Sequence, residues 1–235
     1  LIALAIWCFG TMLPQNAFSD ENLEVNFSTR FLPSEFETLI ISGKAKNLDV
    51  ARFYTERSFE PFWYGYRDRI NGLNNAVQRS VSHGLPSAKY EFLFESANLS
   101  PYEFELLVMD SFILIVSDLN SGILSPSEVD SAISVYPLEI NMDAIFAGLE
   151  KLDSGKKSVE DYIFSFAPKD AEYDKLLIEL ARLRDIARKN KWGEPVPEDK
   201  FLGYNLRHQN VSSLRSRLFK MGYLTFDSGS DLYDE

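Results

Sequence analysis

The chain has 235 residues, of which 45% are hydrophobic, 14% aromatic and 25% charged, and this composition excludes wholesale disorder, a collagen-like fold and a disulfide framework. Its 24 basic and 35 acidic residues give a net charge of -11 at pH 7. Because the basic residues form no long block, no nucleic-acid partner bound through phosphates is expected.

Residues 1–19 have the pattern of a signal-peptide remnant. The run from Leu1 to Phe9 is apolar and uncharged, and Ala17 and Ser19 are small side chains at the spacing that signal peptidase requires. The alternatives are a short buried helix and an uncleaved membrane anchor, although the apolar run is too short to span a bilayer. We expect cleavage after Ser19 and a periplasmic location in a Gram-negative bacterium. Membrane contact is expected only through this segment, if it stays uncleaved.

The residue types of the remaining chain predict no catalytic, cofactor-binding or metal-binding site, and no cofactor. Cys8 is the only cysteine and lies in the removable segment, so residues 20–235 offer no thiolate nucleophile or thiolate ligand. His83 and His208 lie in different predicted segments with no partner at ligand spacing, so a metal site would need carboxylates alone. No Gly-rich phosphate loop or Gly-x-Ser-x-Gly elbow is present.

Apolar residues recur mostly at three-to-four spacing, and alternating runs typical of strands are scarce, which predicts an all-α fold. The predicted helices are residues 36–48, 49–59, 67–82, 101–121, 142–152, 158–166, 170–191 and 211–221.

Several helix ends are predicted from short motifs. Asp49 is expected to cap the second helix, and Ser100-Pro101-Tyr102-Glu103 is a capping box with proline at the first helical position. The segment from Ser125 to Glu128 repeats this capping pattern. Gly84 with Pro86 is expected to end the third helix.

The longest predicted helix, residues 170–191, carries apolar residues along one side: Tyr173, Leu177, Leu180, Leu183 and Ile186. Its last turns are basic, with Arg184, Arg188, Lys189 and Lys191. A solvated helix end that complements the helix dipole is the favoured interpretation, and a basic binding patch is the alternative.

The proline- and glycine-containing segment from Trp192 to Pro197 cannot continue a helix. We therefore predict an irregular helical domain at residues 20–195, a linker at 196–209 and the start of an incomplete small helical module at 210–235.

Two features of the first domain have a structural and a functional interpretation. His83 lies where a helix must stop, so a histidine that bonds the last helix carbonyls is favoured over a catalytic one. The aromatic cluster of Phe53, Tyr54, Phe59 and residues 61–64 is either packing between helices, which is favoured, or an exposed platform for stacking on sugars. A carboxylate pair for glycoside hydrolysis remains a third hypothesis, although most acidic residues lie at caps and on solvated helix faces.

Four groups of segments form an ordered pattern: residues 53–63, 76–86 with Tyr90, 118–122 with Pro126, and 166–168 with Tyr173 and Leu176 leading to Trp192. Taken in this order, they resemble the scaffold domain of the large periplasmic L,D-transpeptidases of the YcbB kind. Each is weak alone, and their order and spacing are more specific. The resemblance covers about residues 48–192.

Residues 211–224 resemble the first helix of the small peptidoglycan-binding module that this family carries next. Val211, Leu214 and Leu218 fit its apolar positions, and Gly222 fits its turn. A lone helix of this kind cannot bury its own apolar face, so we expect it to be poorly anchored.

The resemblance implies a parent protein that cross-links peptidoglycan stem peptides through diaminopimelate. In that family the chemistry belongs to a later YkuD-type catalytic domain with a nucleophilic cysteine in Ser-x-Gly-Cys, which occurs nowhere here, so no catalytic residue is transferred. The implied partners are peptidoglycan and this catalytic domain. The alternative is a stand-alone exported helical module that binds peptidoglycan or a protein. The two differ in whether a cysteine-histidine domain follows Glu235.

Overall fold

The computed structural model describes residues 27, 29–45, 47–91, 99–134, 138–152, 157–189, 192–197 and 202–234. Within these residues the fold is all-α, as predicted, and the only extended pairing is an isolated antiparallel bridge between Arg207 and Leu232. The helices are α1 (Pro33–Ile41), α2 (Leu48–Glu56), α3 (Arg67–Ser80), α4 (Pro101–Ser121), α5 (Pro126–Val129), α6 (Met142–Lys151), α7 (Val159–Phe164), α8 (Ala171–Arg188) and α9 (Gln209–Lys220). Short 3-10 turns at Val81–His83 and Ser87–Lys89 follow α3. The proposed signal segment, residues 1–19, lies outside the described residues.

Side-chain caps fix the starts of several helices. The predicted capping box is confirmed: the Ser100 hydroxyl accepts from the Glu103 amide, and the Glu103 carboxylate accepts from the Ser100 amide. Asp170 caps α8 by accepting from the Tyr173 amide at 2.8 Å. Because these caps pair amides that a helix leaves without partners, α4 and α8 begin where their sequence motifs predict.

Two predicted caps are wrong. Asn47, not Asp49, caps α2, and its Oδ1 accepts from the Asp49 amide at 2.8 Å. Both are good capping residues, and the cap one position before Leu48 lets Asp49 bind Arg52. Ser125 makes no side-chain capping bond, and the helix after it is only four residues long.

The first helix also differs from its prediction. It begins at Pro33, three residues before the predicted start, and ends at Ile41 rather than residue 48. Proline favours the first helical position, and Gly43 at φ +80° reverses the chain directly after the helix.

The hydrophobic core is assembled around α3, α4 and α7, with α1, α2 and α6 packed against them. The buried apolar residues of this core run from Phe36 to Ala167 along the chain. Gly72 of α3 allows a close approach to α7, since a Cβ there would lie 3.0 Å from the Cβ of Val159. The predicted scaffold segment therefore has its own core.

Helices α8 and α9 lie outside that core. The 18 residues of α8 include none that is buried, so its predicted apolar side is only partly covered. Arg182 of α8 donates to the Met221 carbonyl at 2.7 Å, and Arg184 donates to the Val81 carbonyl. Polar side chains thus contribute to holding α8, together with Tyr173, which packs against the core. No helix among the described residues combines the length and the hydropathy that crossing a membrane would take.

Candidate functional site

Glu105 is a fully buried carboxylate on α4, at the centre of the aromatic core. Its Oε1 accepts from the Tyr54 hydroxyl at 2.6 Å and from the Phe62 amide at 2.7 Å. Its Oε2 accepts from the Tyr64 amide at 2.6 Å, and the Trp63 amide lies 3.0 and 3.1 Å from the two oxygens. One side chain therefore binds three consecutive backbone amides and a phenol.

The backbone before and after these amides explains why they point to one place. Ser58 and Phe59 have positive φ angles of 53° and 59°, and Gly65 has φ 89°. These left-handed residues reverse the chain at both ends of residues 60–64, and the three amides between them form a concave donor surface that suits an anion. Without Glu105 these buried N–H groups would lack an acceptor, which costs about 1–3 kcal/mol for each group.

The electrostatics of Glu105 combine two opposing effects. Burial raises the pKa of the Glu105 carboxyl, while the bonds from Tyr54 and the three backbone amides lower it. Burial, followed by the nearby Glu105 charge, raises the pKa of Tyr54 well above its ordinary value. The hydroxyl of Tyr54 therefore stays protonated and acts as a donor to the carboxylate.

Two arginines close the outer side of this aromatic segment. Arg57 lies 5.3 Å from the ring centroids of both Phe53 and Phe62. Arg69 lies 4.1 Å from the Phe62 ring centroid and donates to the Phe62 carbonyl at 2.6 Å. The residues around Glu105 thus position a segment of the chain.

The predicted aromatic cluster packs inside the protein. Its best-buried rings have at most 8% of their surface exposed: Phe53, Tyr54, Phe62, Trp63 and Tyr64. The packing interpretation is confirmed for these five, and the sugar-stacking platform is wrong for them.

A second buried carboxylate, Asp118, fixes the segment after α3 onto α4. Its Oδ2 accepts from the Lys89 ammonium at 2.7 Å and from the Tyr90 hydroxyl at 2.6 Å. Burial and the hydrogen bond to Asp118 raise the pKa of Tyr90. Asp118 therefore joins the segment of Lys89 and Tyr90 to α4.

His83 ends the 3-10 turn after α3, as its sequence context predicts, but its partner is a side chain rather than a helix carbonyl. Its Nδ1 lies 2.7 Å from the Tyr173 hydroxyl, and its ring stacks on Phe164 at 4.6 Å. Burial, with a smaller contribution from Arg79, lowers the pKa of His83. The interaction joins α8 to the turn after α3 and to α7.

The other sequence candidates are dispersed. His208 caps α9, because its Nδ1 accepts from the Asn210 amide at 3.2 Å. Arg188 and Lys189 both pair with Asp185 on the same helix. Cys8 and Lys191 lie outside the described residues. Within the described part of the chain, no group of three or more His, Cys, Asp or Glu side chains is placed to hold a metal ion.

The structure also forms an open groove that the sequence did not predict. It has a volume of about 560 Å³ and lies between the start of α3 and the start of α7. Its lining among the described residues is Gly65, Tyr66, Arg67, Asp68, Arg69, Leu152, Lys157, Ser158 and Val159. Since these segments are distant in the sequence, no local spacing rule indicates the groove.

The described lining contains three cations and one carboxylate, Asp68. Glycoside hydrolysis ordinarily uses two carboxylates, so the groove does not support that hypothesis.

Comparison with known proteins gives one match. A family model described as a scaffold domain matches residues 48–180, more than half of the chain. The matched part runs from the start of α2 into α8 and contains Glu105, Asp118 and the groove. No curated protein and no solved structure matches the chain.

Proposed function

Because the chain belongs to the scaffold domain family, we propose that it is the non-catalytic scaffold of a murein L,D-transpeptidase. In this proposal the parent protein cross-links peptidoglycan stem peptides through diaminopimelate in the periplasm. The chemistry is that of a separate catalytic domain with a cysteine nucleophile. The part described above holds that domain, or its substrate, in position.

The observation that carries the proposal is that the buried charged side chains have their hydrogen-bond partners inside the fold. Glu105 and Asp118 are buried polar groups of the matched region, and their partners are amides, tyrosines and a lysine of the fold itself. Catalytic carboxylates are instead placed where a substrate can reach them. Buried groups whose hydrogen bonds are internal favour a rigid support over an active site.

The order of the segments that resemble the YcbB kind supports the assignment to an L,D-transpeptidase within this proposal. Those segments cover about residues 48–192, and the family match covers residues 48–180. The only cysteine is Cys8, so a cysteine-dependent transpeptidase needs its nucleophile in another part of the parent protein.

The first test is to sequence the encoding DNA through and beyond the codon of Glu235. An open frame that continues into a Ser-x-Gly-Cys segment is the expected result. A stop codon at that point would overturn the transpeptidase assignment and favour the stand-alone exported module that binds peptidoglycan or a protein.

A second test concerns the compartment. Cells producing the complete coding sequence should release the protein on osmotic shock, and its amino-terminal residue should be Asp20 because cleavage is expected after Ser19. Recovery only in the fraction that keeps cytoplasmic markers would contradict the proposed location.

A further inference from the structure

A contact at His83 attaches the first turn of α8 to the body of the helical domain. The Nδ1 atom of His83 lies 2.7 Å from the hydroxyl oxygen of Tyr173 in α8. The imidazole ring also stacks on Phe164 of α7, with the two ring centroids 4.6 Å apart. One titratable side chain, at the end of the 3-10 turn after α3, therefore contacts both α7 and α8.

The rest of α8 lies on the surface of the domain. None of its 18 residues is buried, whereas α4 has buried residues along its whole length. Its Leu180 side chain lies next to Gly84, 3.8 Å from the position that a Cβ there would take. Arg184 donates to the Val81 carbonyl. Because local stability follows buried contacts, α8 should separate from the domain at a lower free-energy cost than global unfolding.

A proton on His83 would add positive charge beside an arginine. The guanidinium carbon of Arg79 lies 4.6 Å from the centroid of the same Phe164 ring, and Arg79 is paired with Glu160 of α7 at 3.0 Å. The charged and titratable groups of the three helices at this contact are Arg79 on α3, Glu160 on α7, and Asp170, Tyr173 and Arg184 on α8. Two of the five are cations, and each of the two carboxylates already has a partner.

The effect of pH on this contact has a definite sign. Burial, followed by the charge of Arg79, lowers the pKa of His83. The imidazole therefore binds a proton more readily once α8 has separated from the turn and exposed it to water. The contact contributes fully above the ordinary histidine pKa of about 6.5, and its contribution is lost as the pH falls through the lower value of the closed state.

We propose that the contact of His83 with Tyr173 and Phe164 is a pH-sensitive device, which holds α8 on the helical domain at neutral pH and lets it separate on acidification. This inference goes beyond the proposed function and does not depend on it, since only residues of the helical domain and α8 take part. Because α8 precedes the predicted linker and α9, the same contact would determine how firmly residues 202–234 are held relative to the core.

The test is hydrogen–deuterium exchange of the whole chain at pH 7.5 and pH 5.5, with the rates corrected for the intrinsic effect of pH on amide exchange. The amides of residues 175–188 in α8 should open about threefold or more as often at pH 5.5, while those of α4 should not change. His83→Phe keeps a ring on Phe164 and should abolish this difference. His83→Gln, which keeps a polar group opposite Tyr173, should abolish it as well, so the test does not depend on one variant folding.

His208→Gln is the matched control, because it removes the other histidine of the chain, which caps α9. It should keep the full pH dependence of α8. Tyr173→Phe should increase the opening of α8 at both pH values and keep their ratio, since the imidazole remains. An unchanged ratio in both His83 variants would overturn the proposal. So would opening of α4 that increases together with that of α8, because the whole domain would then be responding to acid.

Discussion

Glu105 stabilises the fold only as long as its two oxygens keep their donors. Replacement by glutamine puts an NH₂ group against amides that also donate, so at least one buried donor loses its acceptor. We expect Glu105→Gln to lower the free energy of unfolding by about 2–4 kcal/mol. Urea denaturation monitored by tryptophan fluorescence measures this change in the free energy of unfolding, because Trp63 lies in the affected segment.

The matched control for this substitution is Glu103→Gln, two residues away on the same helix. Glutamine also completes a capping box, so that variant should change stability by less than about 0.5 kcal/mol. Removing a single donor by Tyr54→Phe should have an intermediate effect of about 1–2 kcal/mol. Equal stability of the two glutamine variants would show that the buried carboxylate does not hold the aromatic segment.

His83 gives stability a dependence on pH. Its pKa is lowered in the folded protein, chiefly by burial and further by Arg79, so the unfolded chain binds the proton more readily. The contribution is therefore complete above the ordinary pKa of about 6.5 and is lost as the pH falls through the lower folded value. His83→Phe keeps a ring against Phe164 and should reduce the decrease in melting midpoint between about pH 7.5 and pH 5.

Tyr173→Phe is the control, since it removes the hydroxyl bonded to His83 and leaves the imidazole in place. Because burial is the main cause of the lowered pKa, this variant should keep most of the pH dependence. If the melting midpoints of His83→Phe and the parent chain decrease equally when the pH is lowered, the histidine does not cause the pH dependence of stability.

At the scale of elements, the crossing of α6 and α7 depends on a glycine inside a helix. A Cβ at Gly148 would lie 2.0 Å from the Tyr162 hydroxyl oxygen, which donates to the Ile145 carbonyl at 2.7 Å. Glycine to alanine in an open helix position stabilises by about 1 kcal/mol. Here we expect Gly148→Ala to destabilise by about 1–3 kcal/mol, because the tyrosine ring must move.

A double-mutant cycle with Tyr162→Leu tests this explanation. Removing the outer part of the ring should make Gly148→Ala neutral or stabilising, and the coupling between the two substitutions should exceed about 1 kcal/mol. Additive effects in chemical denaturation would mean that the glycine is needed for another reason.

The elements that the sequence predicted well are those with local causes. The capping box at Ser100, the helix stop at Gly84 and the core packing of the aromatic cluster all follow from nearby residues. The cap of α2 was misplaced because Asn47 and Asp49 have similar capping propensities, and the surrounding contacts decide between them.

The candidate site was less predictable for a physical reason. Glu105 binds backbone amides of residues 62–64, and amides have no residue-specific signature. The indication available was a charged residue on a mostly apolar helix, since a charge that is buried there requires a partner. The groove joins the start of α3 to the start of α7, so it depends on helix packing rather than on spacing within one segment.

At the scale of the whole molecule, the core is confined to one part of the chain. The buried apolar cluster ends at Ala167, whereas the buried Val211 of α9 is not part of it. The observed contacts between α9 and the earlier helices include single polar bonds such as that of Arg182 to the Met221 carbonyl. The boundary at residues 196–209 stays a prediction, and it leads to a testable expectation about stability.

Val77 and Val211 are a matched pair for testing that boundary, since each is 2% exposed but only Val77 belongs to the main core. Truncating a buried valine to alanine removes about 2 kcal/mol, and a domain of this size then loses about 4–8 °C in its main melting transition. Val77→Ala should show this loss by differential scanning calorimetry. We expect Val211→Ala to leave the main transition in place, because the predicted boundary separates α9 from the core. An equal decrease for both variants would mean that residues 210–234 and the helical domain form one cooperative unit, and the predicted boundary would then be wrong.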